Sequence, residues 1–230
     1  MSGIAESPDG ATPLDPDERE GLKFRHVATR EQLNELEQAN IESGLRWLAR
    51  ARGDVLTDDF AIALHERLFG DVWSWAGTFR KTGKNIGIDP VCIPVELRML
   101  MDNVRRWAGH RTYSASESAV RFHHRLVQIH AFPNGNGRHA RIMADAILTR
   151  VYRAEPIDWS GGHDLQRMTE RRVSYIAALR MADRGDMTPL LRFAGRRHDI
   201  RSAGAGMPGP ESALPEWQTK AEDNRSFTTD

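Results

Sequence analysis

The chain has one cysteine, Cys92, among 230 residues. That excludes an internal disulfide and a thiolate cage for a metal. No apolar run is long enough to cross a membrane, and residues 1–20 hold no apolar core of signal-peptide length. The expectation is a soluble, cytoplasmic protein with no membrane partner. Lysine is scarce: Lys23, Lys81, Lys84 and Lys220 stand against 28 arginines. We read this mainly as compositional bias, though arginine supplies forked, permanently charged donors for oxyanions. Neither sign of charge is in excess, with 32 basic and 32 acidic residues. Global charge therefore gives no reason to expect direct nucleic-acid binding. Internal repeats and heptad arrays are also lacking.

What is present fits one domain with tails. Hydrophobic residues make up 40% of the chain, enough for a core. Residues 1–20, with Pro8, Pro13, Pro16 and several acids, read as a flexible N-terminal arm. Residues 196–230, with Gly204, Gly206, Pro208, Gly209 and Pro210, read as a disordered tail. Residues 21–195 between them read as all-α. Thr29 and Gln32 form a capping box before a helix to about residue 50, and Thr57 caps another. Pro94 opens a third, with Leu97, Leu100, Met101, Val104 and Trp107 on one face. Ser114 and Glu117 form a second capping box before a helix through Ile129. Further helices are expected over 138–152 and 163–182, and after Thr188-Pro189. Between Phe79 and Ile88, Gly83-Lys84-Asn85 separates short extended runs and suggests a small β-hairpin.

The densest chemistry lies in His130-Ala131-Phe132-Pro133-Asn134-Gly135-Asn136-Gly137-Arg138-His139-Ala140-Arg141. His130 falls where a helix ends, and its imidazole can take a proton near neutral pH. A Gly/Asn loop can turn backbone N–H groups inward as a nest for phosphate oxygens. The helix that follows offers unpaired first-turn N–H groups and the positive end of its dipole. Arg138 and Arg141, three residues apart, share a face there and can grip one polyphosphate. Phe132 is expected in the core. Asn136 is expected to hold the loop through its amide, and Gly135 and Gly137 permit positive φ. Each part alone reads as an ordinary turn or a structural histidine; together they point to phosphoryl-type chemistry.

This stretch resembles the signature of the Fic-domain (Fic/Doc) family, H-x-F-x-(D/E)-G-N-G-R-x-x-R, at every position except Asn134, where the family has an acid. The likeness extends to residues 68–80, which resemble the segment leading into the family's flap hairpin. Residues 175–179 and 183–186 are similar to its closing helix. With Asn134 and residues 13–18, the chain most resembles the mobile mystery protein B subfamily. The resemblance implies a Fic-type helical bundle that transfers a nucleotide, usually AMP from ATP, to a protein hydroxyl (AMPylation). His130 would be the general base. Backbone amides of Gly135, Asn136 and Gly137, with Arg138 and Arg141, would bind the phosphates. The flap, Arg80, Lys81, Thr82, Gly83, Lys84, Asn85 and Ile86, would align a Ser, Thr or Tyr target segment by strand pairing. Mg²⁺ and a small helix-turn-helix partner protein are implied in the same way, as in toxin-like members.

Asn134, the position implied for the metal, offers a carbonyl oxygen but no charge, so Mg²⁺ binding should weaken. Three outcomes stay open: slow transfer with Mg²⁺ held by the substrate phosphates, a changed donor, or nucleotide binding without turnover. The family's inhibitory helix, (S/T)-x-x-x-E-(G/N), has a degenerate match in the helix of residues 29–50, with Glu37 aimed at Arg141 as the candidate inhibitory carboxylate. A solvated helix carboxylate is the plain alternative. Competing functions are a catalytically weak nucleotide-binding regulator from a toxin–antitoxin-like pair, or a Doc-like phosphotransferase. Residues 77–85 fit a P-loop poorly. His123, His124, His130 and His139 lack metal-site spacing and read as packed or surface histidines.

Overall fold

A computed structural model describes residues 14–24, 26–159 and 170–195. The expected disordered tail and the start of the helix expected over 163–182 lie outside these residues. Eight α-helices follow in order: α1 (Pro16–Glu20), α2 (Arg30–Arg50), α3 (Asp58–Phe69), α4 (Ile93–His110), α5 (Ala115–Ile129), α6 (Asn136–Arg150), α7 (Glu170–Ala182) and α8 (Thr188–Ala194). No strand is formed among the described residues, and Leu22 and Trp73 make an isolated antiparallel bridge. The all-α class is as expected, and the small hairpin is not formed.

Local signals set several boundaries. Thr29 and Gln32 make the reciprocal box at α2, each side chain bonding the other's N–H at 3.2 Å. Thr57 Oγ1 accepts from Phe60 N–H at 3.1 Å. The box expected at α5 is half made: Ser114 caps Glu117 N–H, while the Glu117 carboxylate turns to Arg121 at 2.8 Å.

α5 and α6 form the central antiparallel pair, with α4 packed on α5, and α2 lies on α3. Gly44 lets α2 approach closely, since a Cβ there would stand 2.8 Å from the Arg67 carbonyl. Asn40 fastens the same crossing. Its Nδ2 donates to Arg67 O at 3.1 Å, and its Oδ1 accepts from Asp71 N–H at 2.9 Å. The core threads through all these helices, with Leu64, Ile93, Leu97, Phe122, Phe132 and Ile147 fully buried. At about 25 cal/mol per Å² of apolar surface, such side chains supply most of the drive to fold.

Residues 14–20, expected as part of a flexible arm, are docked. Leu14 is buried, Trp75 Nε1 donates to Glu18 O at 2.8 Å, and Ser74 N–H to Gly21 O at 2.8 Å. An indole and a leucine give the segment apolar surface to bury, which its acidic composition hides.

His65, His123, His130 and His139 are all buried. Burial holds each ring well below the ordinary 6.5, with His130 and His139 at about 4. Released by unfolding, each takes up a proton near 6.5. Unfolding therefore binds protons between about pH 6.5 and 4, and stability falls as pH drops through that window. Asp145, raised to about 6 by burial, opposes this with one proton. We expect the melting temperature to fall by roughly 10 °C or more between about pH 7 and pH 5. A calorimetric scan series checks this, and a flat profile contradicts it.

Candidate functional site

The turn from α5 to α6 builds the site. His130 ends α5 in the left-handed region (φ 52°, ψ 57°), and Gly135 precedes α6 at φ 78°. Between them the backbone cannot continue either helix. The Asn136 side chain closes the loop: Oδ1 accepts from Phe132 N–H at 2.9 Å, and Nδ2 donates to Phe132 O at 2.7 Å. Phe132 plugs into the core, stacked on His65 at 3.7 Å and edge-on to His139 at 5.2 Å. His65 reads the loop with both nitrogens. Nδ1 accepts from Gly77 N–H at 3.1 Å, so Nε2 carries the proton that goes to Asn134 O at 3.0 Å. Gly135 is required twice over, because a Cβ would meet the Phe69 ring at 2.7 Å.

His130 is 6% exposed. Burial first, then the adjacent Arg80 charge, lowers its pKa to about 4. The imidazole is therefore neutral at physiological pH and ready to accept a proton. α6 begins without a side-chain cap, leaving the first-turn N–H groups of Asn136, Gly137 and Arg138 to the loop. Arg141 folds back over that start, its NH1 3.6 Å from where a Gly137 Cβ would stand. Asn134 Oδ1 accepts from Gly135 N–H at 2.6 Å, so its oxygen turns onto the loop.

Glu37 is buried, but its partner differs from the expected one. Oε2 lies 2.7 Å from Arg138 NH1, and Oε1 accepts from Trp73 Nε1 at 2.7 Å. Burial alone would raise its pKa; the Arg138 charge and these bonds outweigh that and lower it, so the carboxylate stays ionised. Arg141 instead donates to Tyr175 Oη at 3.4 Å. The two arginines share a helix face but diverge to opposite neighbours, α2 and α7.

The expected flap residues are not equivalent. Arg80 is 2% exposed and points inward. Its Nε donates to His130 O at 2.6 Å, NH1 to Thr82 O at 2.8 Å, and NH2 to Ile88 O and to Ile129 O. A cation thus satisfies the carbonyls at the C-terminus of α5, where the dipole favours it. This pulls residues 80–88 into a loop around the guanidinium, which is why no hairpin forms. Lys84 is sequestered as well, at 2.7 Å from Asp15 and 2.5 Å from Glu18, and Thr82 Oγ1 donates to Asp15. Lys81, Gly83, Asn85 and Ile86 face solvent. Arg80, His65, His123 and Tyr175 were not among the expected supports of the loop. Only the motif's need for buried partners hints at them.

A sequence model of the Fic/DOC family matches residues 55–148. This segment is a Fic/DOC family domain. The chain is 29% identical over 157 residues to "Protein adenylyltransferase fic-1" of Caenorhabditis briggsae, covering 66% of this chain and 29% of that one. To "Protein adenylyltransferase Fic" of Drosophila ananassae it is 30% identical over 137 residues, or 57% of this chain and 26% of that one. The chain thus spans under a third of the length of these curated relatives. Among solved structures, Fic-1 from C. elegans superposes with a TM-score of 0.57 at 24% identity, over 76% of this chain and 51% of that one. BepC from Bartonella tribocorum, with bound AMPPNP, gives 0.56 at 17%, over 78% and 96%. These structural likenesses establish the fold.

Residues 86–88 cross directly over His130. At Gly87 (φ 120°) a Cβ would lie 2.5 Å from Arg80 NH2 and 2.9 Å from His130 Cβ. Gly87→Ala is expected to destabilise the fold by about 1–3 kcal/mol. Gly109→Ala, in α4 with open space around the position, serves as the control that should not destabilise and gains up to about 1 kcal/mol. Denaturant melts of the two variants decide it; equal midpoints mean that Gly87 is not a constraint.

Proposed function

We propose that this protein is a nucleotidyltransferase that moves AMP from ATP to a Ser, Thr or Tyr hydroxyl of another protein. One observation carries the reading: a buried, neutral imidazole is fixed beside an uncapped helix start that Arg138 and Arg141 flank. His130 takes the hydroxyl proton. The oxygen forms a bond to the α-phosphorus, and the bond to the leaving pyrophosphate breaks. Backbone N–H groups of Asn136 and Gly137 hold phosphate oxygens, that of Gly135 being taken by Asn134 Oδ1, and the guanidiniums hold the outer phosphates. The adenylyltransferase names of the curated relatives and the ATP analogue in the Bartonella neighbour support this choice of donor. The exposed edge formed by Lys81, Gly83, Asn85 and Ile86 is where a target segment would lie.

Mg²⁺ is implied by the resemblance, but the loop does not fit a protein-held cation. Asn134 carries no charge and its oxygen is engaged with Gly135 N–H, and no cluster of three metal-binding side chains occurs among the described residues. We therefore assign no step to a protein-bound metal. The likeness to the mobile mystery protein B subfamily adds a cytoplasmic setting and a small helix-turn-helix partner to this reading.

Intact-mass spectrometry of the full chain with each nucleoside triphosphate and a lysate tests the activity. A gain of about 329 Da on a protein, lost in His130→Ala, is the expected result. A gain of about 80 Da indicates phosphate transfer instead. Nucleotide binding without transfer from ATP, GTP, CTP or UTP overturns the enzyme reading in favour of a nucleotide-binding regulator.

The Glu37–Arg138 ion pair favours a restrained enzyme. The carboxylate competes with phosphate oxygens for the same guanidinium, so Glu37 acts as an inhibitory residue, but on Arg138. Glu37→Gln keeps an acceptor for Trp73 and removes the charge. It should raise both ATP-analogue affinity and transfer by roughly threefold or more. Lower affinity would instead make Glu37 a support for Arg138.

A further inference from the structure

Arg141 reaches its place through a chain of neutral groups that the reaction itself does not use. Its NH1 donates to Tyr175 Oη at 3.4 Å, and its guanidinium lies 5.4 Å from the centre of the same ring. Tyr175 Oη in turn is 3.0 Å from His123 Nε2. Both partners are buried, Tyr175 at 6% exposure and His123 at 0%. An arginine can only donate, so the phenol oxygen accepts there. The geometry lets its own proton go to His123 Nε2, with that nitrogen bare and Nδ1 carrying the ring proton. Trp159 packs on the opposite side of the imidazole at 4.5 Å, and its indole N–H donates to Asp145 on α6, four residues beyond Arg141. The ring is therefore held in position.

We propose that Tyr175 and His123 are positioning residues for Arg141, together directing its guanidinium over the start of α6 where the outer phosphates bind. The arrangement contrasts with Arg138. A carboxylate beside Arg138 competes with phosphate, whereas a phenol orients Arg141 and leaves its full charge for the ligand. Burial keeps the phenol and the imidazole neutral, so neither cancels nor adds to that charge. One α7 hydroxyl, far from the motif in sequence, thus sets the reach of the second motif arginine. The proposal rests on the reading of this loop as a triphosphate site.

The test uses the full chain and two probes, AMPPNP and AMP, in isothermal titration. Wild type should prefer AMPPNP. Tyr175→Phe keeps the ring and should weaken AMPPNP by about three- to tenfold with AMP affinity unchanged, while the lost buried hydrogen bond lowers the melting temperature by a few degrees. In an Arg141→Ala background the same substitution should have no further effect. The His123 tautomer gives a ligand-free readout: long-range ¹H–¹⁵N correlations should show protonated Nδ1 and bare Nε2. A retained AMPPNP preference in Tyr175→Phe, an equal loss for both nucleotides, or an Nε2–H tautomer overturns the proposal and leaves the nucleotide site standing. A wild type that does not prefer AMPPNP overturns the triphosphate reading, and this proposal with it.

Discussion

The grip of one side-chain amide on one residue's backbone governs this structure. Asn136 satisfies both the N–H and the carbonyl of Phe132, which lie in a stretch where neither helix can continue. A buried backbone pair left unbonded would cost several kcal/mol, so the loop has little freedom to adopt another path. With Phe132 fixed between His65 and His139, the chain on either side is determined. His130 must take the left-handed turn that ends α5, and Gly135 must make the one that starts α6. The His130 imidazole and the first-turn N–H groups of α6 are thereby placed by a contact between one side chain and the Phe132 backbone.

Around this clasp the protein uses histidines as uncharged connectors. His65 bonds two loop backbones, His139 bonds the Ala61 carbonyl at 2.9 Å, and His123 orders Tyr175. In a region that concentrates Arg80, Arg138 and Arg141, neutral rings that donate on one side and accept on the other avoid adding positive charge. The positive charges are treated individually. Arg80 is consumed by carbonyls, Arg138 is matched by a carboxylate, and Arg141 is steered by a phenol.

Much of the fold was legible because helix boundaries depend on short-range chemistry. Thr29 with Gln32, Thr57 and Ser114 cap the helices they were expected to cap, and the motif fell at the junction its glycines implied. The hairpin reading rested on Gly83-Lys84-Asn85 between short extended runs, and nothing local reveals that the Arg80 guanidinium turns inward to the end of a helix 49 residues away. Glu37 was expected to face Arg141 and instead pairs with Arg138. Spacing of three puts Arg138 and Arg141 on one face, but which one meets α2 depends on how α2 crosses α3, a long-range fact set by Gly44 and Asn40. Tyr175 was noted only as part of a helix resembling the family's closing segment, since one aromatic on α7 has no local signature of a role.

The docked N-terminal segment changes what counts as the working unit. Lys84 has a side chain only 3% exposed, and the carboxylates that neutralise it come from residues 15 and 18. Arg138 is matched from residue 37 and Arg141 from residue 175, whereas the recognised family segment runs from 55 to 148. A fragment trimmed to that homology would strand a buried ammonium beside the base and release both guanidiniums at once. The boundary of shared ancestry and the boundary of electrostatic self-sufficiency are different lines on this chain, and the second is the wider.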